Sequence, residues 1–154
     1  TITFTAAISA CKHSVLALDL LEEMKQCGFS PNVITYSAAM SACEKDNKWE
    51  LALKILTEMK TVRVQPNVVT YSIAISACQK RAQSLWPQII EFLDEMSASN
   101  LIPNGVTSSY AMSALVTVRH WELALKVYSR MVAMDVQPNL STMKFAIKAS
   151  EIGG

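Results

Sequence analysis

Four Pro-Asn pairs, Pro31-Asn32, Pro66-Asn67, Pro103-Asn104 and Pro138-Asn139, stand 35, 37 and 35 residues apart, and the residues between them recur as well. The stretch PNVITYSAAMSACEKDNKWELALKILTEMKTVRVQ from Pro31 begins again as PNVVTYSIAISAC at Pro66. A period of about 35 residues means that one structural unit is repeated. A unit this short buries an apolar face only against its neighbours, as in a solenoid.

Each unit reads as two amphipathic helices. In the first half Tyr36, Ala39, Met40 and Cys43 fall at i, i+3, i+4 and i+7, and in the second Trp49, Ala52, Leu53, Leu56 and Met59 keep helical spacing. The polar run Glu44 to Lys48 separates them, so the unit is a helical hairpin. Small residues recur where helices must approach closely: Ala7, Ala39, Ala74 and Ala111 in one column, Ala10, Ala42, Ala77, Ala114 and Ala149 in another. Met24, Met59, Met96 and Met131 close the second helices and read as core packing, because thioethers fill irregular gaps.

The units differ in ways that carry expectations. The first, residues 1–32, is three residues short between its helices and has no Trp where the others carry Trp49, Trp86 and Trp121, which predicts a clipped loop or a lost helical turn and looser packing. The third, residues 68–104, is two residues longer, and Pro87 after Trp86 predicts that its second helix starts there, since proline is tolerated in a first turn. The fourth, residues 105–139, has Ser108 where Tyr36 and Tyr71 stand. A partial unit, residues 140–150, supplies one more first helix ending before Gly153-Gly154. The whole chain, residues 1–154, is expected to be a single array.

Cys11, Cys43 and Cys78 share a column that Leu115 fills in the fourth unit, so the site is one of packing. One repeat separates successive members, roughly 10 Å at ordinary helix spacing, which is beyond disulfide reach. With Cys27 they read as reduced thiols. His13 and His120 lie in or beside inter-helix loops with no C-x-x-C, H-E-x-x-H or Asp cluster near them, and neither a G-x-S-x-G nor a P-loop occurs. The acidic pairs Glu22-Glu23 and Asp94-Glu95 read as solvated helix faces. No catalytic residue, metal site, cofactor or small-molecule substrate is expected, and the function class is not an enzyme. No apolar run of about 18 residues is present, so no membrane span is expected. The chain begins with neither Met nor an Arg-rich leader, and any organellar address is expected upstream.

The segments VITYSAAMSAC…WELALKILTEM…PN and VVTYSIAISAC…EFLDEM…PN resemble the pentatricopeptide repeat, the 35-residue helical hairpin of organellar RNA-binding proteins. The resemblance covers four units and a fragment. It rests on the period, the Thr-aromatic-Ser/Thr start, the pairs Ala17-Leu18, Ala52-Leu53 and Ala124-Leu125, and the terminal Pro-Asn. The W-x-x-L-G-x-x-Y opening of the tetratricopeptide repeat is missing. The resemblance implies a right-handed α-solenoid that reads one RNA base per unit, in mitochondria or plastids. It implies four reading pairs: Thr5 with Asn32, Ser37 with Asn67, Ser72 with Asn104, and Ser109 with Asn139. A short hydroxyl with Asn is the family combination for adenine, whose Watson–Crick edge offers one acceptor and one amino donor to an amide that has both complements. Ile2, Ile34, Val69 and Val106 are implied to sandwich bases, and Lys45 and Lys80, at the ends of first helices, to approach the RNA backbone. Residue chemistry alone also allows the Asn column to be turn and cap residues, and the lysines to be cations at helix C-termini.

With 14 Lys+Arg against 13 Asp+Glu the net charge is +1, far from that of a nonspecific nucleic-acid binder. The expected partner is single-stranded RNA with an A-A-A-A site, in RNA processing, stability, editing or translation. The alternative is a protein partner, with the chain a scaffolding module that binds no RNA; a third is the guide of an RNA-processing enzyme whose catalytic domain lies elsewhere.

Overall fold

The structure is a computed structural model that describes residues 2–154; among them are nine α-helices and no strand. The chain forms two compact bodies, Thr1–Ala77 and Cys78–Gly154. The first holds α1 (Ile2–Ala10), α2 (Ser14–Gln26), α3 (Val33–Lys45), α4 (Trp49–Thr61) and most of α5 (Val68–Gln79). The second holds α6 (Ala82–Ala98), α7 (Gly105–Thr117), α8 (Trp121–Ala133) and α9 (Leu140–Gly153). Within the first body α1 packs on α2 and α3, and α3 on α2 and α4; within the second α7 packs on α6, α8 and α9, and α8 on α9. First helices therefore touch first helices of the next repeat as well as their own hairpin partners, which is the helical-hairpin fold that the period predicts.

Repeated caps set the helix ends. Asn32, Asn67, Asn104 and Asn139 precede first helices, and their side chains accept the N–H of the third helical residue. Each second helix ends on a residue of positive φ, Gly28 (77°), Arg63 (61°), Asn100 (55°) and Asp135 (57°). The next N–H then folds back onto the methionine carbonyl: Phe29 to Met24 (3.0 Å), Val64 to Met59 (2.9 Å), Leu101 to Met96 (2.8 Å) and Val136 to Met131 (3.1 Å). These are Schellman closures, which satisfy carbonyls the helix leaves unpaired. Glycine adopts this geometry without cost only in the first repeat; Arg63 and Asp135 hold it because the closure and the apolar residue after it require the turn.

The core follows the sequence columns. Ala39, Ala74 and Ala111, Ala42, Ala77, Ala114 and Ala149, and all four column methionines are buried. Ala17, Ala52 and Ala124 are fully buried, with Ile89 in their place in the third repeat. At the first repeat the packing loosens: Ala7 is half-buried and Ala10 exposed. Cys43 and Cys78 are buried, and burial pushes their thiols up to about 11 and about 12, so they behave as apolar filling. Cys11 is only half-buried and Cys27 is exposed; all four are free thiols.

Three expectations about element ends are settled or changed. The short first repeat loses a helical turn and not its loop, because α1 stops at Ala10 while α2 keeps the 13 residues of α4. The second helix of the third repeat does not start at Trp86-Pro87: α6 begins at Ala82, runs 17 residues, and holds Pro87 inside it. Ala82, Leu85, Ile89 and Phe92 form its buried stripe, so the two extra residues become helix. Pro87 and Gln83, whose carbonyl the proline leaves without a helical N–H, are both exposed, so water can serve that carbonyl. Finally, α9 runs to Gly153 and not to Ser150, because Ile152 packs on the core beside Trp121 and Gly153 lies against that ring; a Cβ on Gly153 would come within 2.5 Å of it.

A polar contact joins the first repeat to the second. His13, the N-cap of α2, makes no side-chain cap, and Asp46 from the α3–α4 loop supplies one, its Oδ2 accepting the Ser14 N–H at 2.6 Å. That bond, with help from nearby His13, holds the Asp46 carboxyl below its usual range. A depressed carboxylate adds stability above its unfolded-state pKa, about 3.9, and the contribution is lost as pH falls through the lower folded-state value. Asp46→Asn is therefore expected to lower the melting temperature at pH 7, with the difference from wild type shrinking below about pH 4 in thermal melts.

Candidate nucleic-acid interface

The residues implied to touch RNA lie on the first helices and on the caps before them. At each cap Asn Oδ1 accepts a backbone N–H: Thr35 to Asn32 (3.0 Å), Thr70 to Asn67 (3.0 Å), Thr107 to Asn104 (2.9 Å) and Thr142 to Asn139 (2.8 Å). The same threonines are fully buried and tie their hydroxyls back to the Asn. Thr35 and Thr107 reach Oδ1 (3.0 and 2.9 Å), whereas Thr70 and Thr142 reach the Asn carbonyl (2.9 and 2.8 Å). The column is thus a set of N-caps, as residue chemistry allowed. The cap bond engages only Oδ1 of each side-chain amide.

The hydroxyls follow a second rule. Ser37, Ser72 and Ser109 donate to the carbonyls four residues earlier, on Val33 (2.6 Å), Val68 (2.7 Å) and Gly105 (2.7 Å). Their protons are engaged in these bonds; Ser37 and Ser72 are half-buried and Ser109 is buried. Of the implied pairs, Ser109 and Asn139 are brought into direct contact, Oγ to Oδ1 at 3.1 Å. Thr5 and Asn32 are joined through Thr35, whose Oγ1 lies 2.9 Å from Thr5 Oγ1 and 3.0 Å from Asn32 Oδ1. Ser37 and Asn67 lie in the same body, each in its own local bond; Ser72 belongs to the first body and Asn104 to the second.

The apolar column is on the surface. Ile2, Ile34, Val69 and Val106 are 87%, 61%, 54% and 53% exposed, too open to be explained as half-buried starts of a helix. In the first body Ile34, Ser37, Lys45 and Val69 line one open groove of about 420 Å³, floored by Ala38, Ser41 and Ile73. Lys45 is the last residue of α3; Lys80 lies just beyond α5, which stops at Gln79, and both are exposed.

A charged network that sequence spacing does not reveal joins α2, α3 and α4. Tyr36 is buried beside Ser37 and donates to Glu58 of α4 (2.9 Å), which also holds Lys25 of α2 (2.6 Å), itself paired with Glu22 (2.8 Å). Burial, reinforced by Glu58, pushes the Tyr36 phenol up, so it stays a neutral donor. Asp94 faces Arg130 at 3.4 Å and His13 faces Asp46 at 3.8 Å. Among the described residues no group of three or more His, Cys, Asp or Glu is placed to hold a metal ion, and no helix is long and apolar enough to cross a membrane.

Recurring Asn-capped helical hairpins define a helical-repeat protein. The sequence profile of the pentatricopeptide repeat domain matches residues 1–46, 19–81 and 91–151, most of the chain, and the chain belongs to the pentatricopeptide repeat family. A chloroplastic pentatricopeptide repeat-containing protein of Arabidopsis thaliana is 49% identical over 45 residues, which are 27% of this chain and 7% of that protein. Among solved structures, the pentatricopeptide repeat protein PPR10 in complex with an 18-nt psaJ RNA element matches with a TM-score of 0.74 and 24% identity, over 96% of this chain and 22% of that one. The pentatricopeptide repeat domain of Arabidopsis thaliana protein-only RNase P 1 in complex with tRNA matches with a TM-score of 0.80 and 18% identity, over 90% and 72%. At these identities the structures share the fold with this chain.

The capping role of the Asn column can be tested by chemistry. Asn and Asp cap about equally well, whereas Ala does not. Asn67→Ala is expected to cost about 1 kcal/mol of stability and Asn67→Asp to cost little, both read by urea denaturation.

Proposed function

We propose that this chain binds single-stranded RNA along its first helices, one base per repeat, with adenine preferred. The observation that carries this reading is the groove in the first body, which two exposed aliphatic side chains one repeat apart, Ile34 and Val69, line together with Ser37 and Lys45. Aliphatic flanks suit the faces of a base, the hydroxyl and the Asn67 amide suit its edge, and the lysine suits a phosphate. The partners named for the similar structures, an RNA element and a tRNA, agree with this class of ligand. The base-reading roles go to Thr5, Asn32, Ser37, Asn67, Ser72, Asn104, Ser109 and Asn139, the base-flanking roles to Ile2, Ile34, Val69 and Val106, and the backbone contacts to Lys45 and Lys80. The chloroplastic relative favours an organellar setting, and the function assigned to these residues is binding without a bond-making step.

Magnitudes bound the strength. Stacking contributes about 1–3 kcal/mol per base, so four bases offer roughly 4–12 kcal/mol before ordering costs, against about 8.2 kcal/mol for micromolar binding. Two phosphate contacts on single-stranded RNA give a salt slope near −1.4 in log K against log salt, at about −0.7 per contact.

The test exchanges one base contact inside the first body. Asp accepts only, so it suits the uracil ring N–H and not the adenine ring acceptor. Ser37→Asn with Asn67→Asp is expected to move the preferred site from A-A-A-A to A-U-A-A, by about 1–3 kcal/mol in the ratio of the two affinities. Lys45→Ala should weaken both oligonucleotides alike and flatten the salt slope. Equal weakening of both RNAs by the double change, or no preference among A-, U-, C- and G-rich oligonucleotides, would leave these residues as caps and favour a protein-binding scaffold.

A further inference from the structure

The fourth repeat differs from the second and third at the first residue of its first helix. Gly105 stands where the second and third repeats have Val33 and Val68. A Cβ at Gly105 would lie 3.3 Å from Asn139 Nδ2 and 3.4 Å from the Gln137 carbonyl, so a side chain there would have to move the Asn139 amide. With glycine in place the amide lies over the start of α7, and its Oδ1 comes within 3.1 Å of Ser109 Oγ while also accepting the Thr142 N–H at 2.8 Å. In the second repeat, with Val33 at that register, the Ser37 hydroxyl bonds the Val33 carbonyl and Asn67 Oδ1 bonds the Thr70 N–H.

We propose that Gly105 is a specificity-determining residue, which makes the fourth repeat read only the ring acceptor of its base and ignore the exocyclic amino group. This inference rests on the RNA-binding function proposed above. A carbonyl oxygen has two lone pairs. On Asn139 one is taken by the Thr142 N–H and the other faces the Ser109 hydroxyl, whose single proton is shared with the Gly105 carbonyl at 2.7 Å. No acceptor capacity is left on Oδ1 for the amino group of adenine, and Ser109, 9% exposed, is too enclosed to replace it. What remains for the base is the Nδ2 donor, which matches adenine N1. On Asn67 the cap occupies one lone pair, so the second repeat can accept the amino proton as well; Asn32 and Asn104 fill their second lone pair differently, with the hydroxyls of Thr35 and Thr107, so the contrast that Gly105 sets is with the second repeat.

Purine ribonucleoside, which keeps N1 and lacks the amino group, separates the two modes. Placed at the fourth position of an otherwise all-adenine oligonucleotide, it should change Kd by less than about twofold, whereas at the second position it should weaken binding about fivefold, the effect of one lost hydrogen bond. Gly105→Val should make the fourth position as sensitive as the second, without lowering the melting temperature, because valine occupies this register in two other repeats. Ser109→Ala, which releases the second lone pair without adding bulk, should do the same and covers the case in which the valine variant misfolds. Equal sensitivity of the two positions in the wild type, or an unchanged fourth position in both variants, overturns the role of Gly105 while leaving RNA binding intact. Failure of the wild type to bind any of these oligonucleotides overturns both.

Discussion

Each of α3, α5, α7 and α9 begins on the same hydrogen bond, a threonine N–H donated to the side chain of the preceding asparagine. Much of what is specific to this chain depends on it. The bond fixes where each first helix starts and so the register of the buried alanine columns. It also fixes the asparagine oxygen at the start of each of these helices, and a repeat cannot drift in register without losing its cap.

The opposite ends of the hairpins use backbone strain for the same purpose. Arg63, Asn100 and Asp135 accept a left-handed conformation so that the following apolar residue can close onto the methionine carbonyl of its own repeat. The methionines are thus core residues on their side chains and cap acceptors on their backbones. None of the second helices is capped by its own N-cap side chain, and in the first repeat Asp46 of the next hairpin serves the Ser14 N–H.

Most of the fold was legible because period and apolar spacing report on burial, and burial is what a repeat must share with its neighbours. Proline misled at Pro87, since its usual place in a first turn carried more weight than the Ala82, Leu85, Ile89 stripe, which reads directly as one more helical turn. The spacing Asn-x-x-Thr at all four caps was a legible signal for the buried threonines that hold the asparagines, and it lay within the motif by which the repeats align. Contacts that join different elements were not legible. Tyr36 with Glu58 and Lys25, and the closure of Asn139 onto Ser109, depend on how far two helices stand apart, a distance that spacing along one chain does not contain.

The central claim is that the capping asparagines present their amide protons to a base while the cap stays closed. It is tested most directly by following side-chain and backbone amide resonances of 15N-labelled protein as an adenine oligonucleotide is added. The account predicts that the Asn67 Nδ2–H2 pair shifts and saturates with the binding curve while the Thr70 N–H, held by Asn67 Oδ1, stays where it is. Saturating RNA that leaves the Asn67 side chain unmoved and shifts residues of α2 and α4 instead would contradict it.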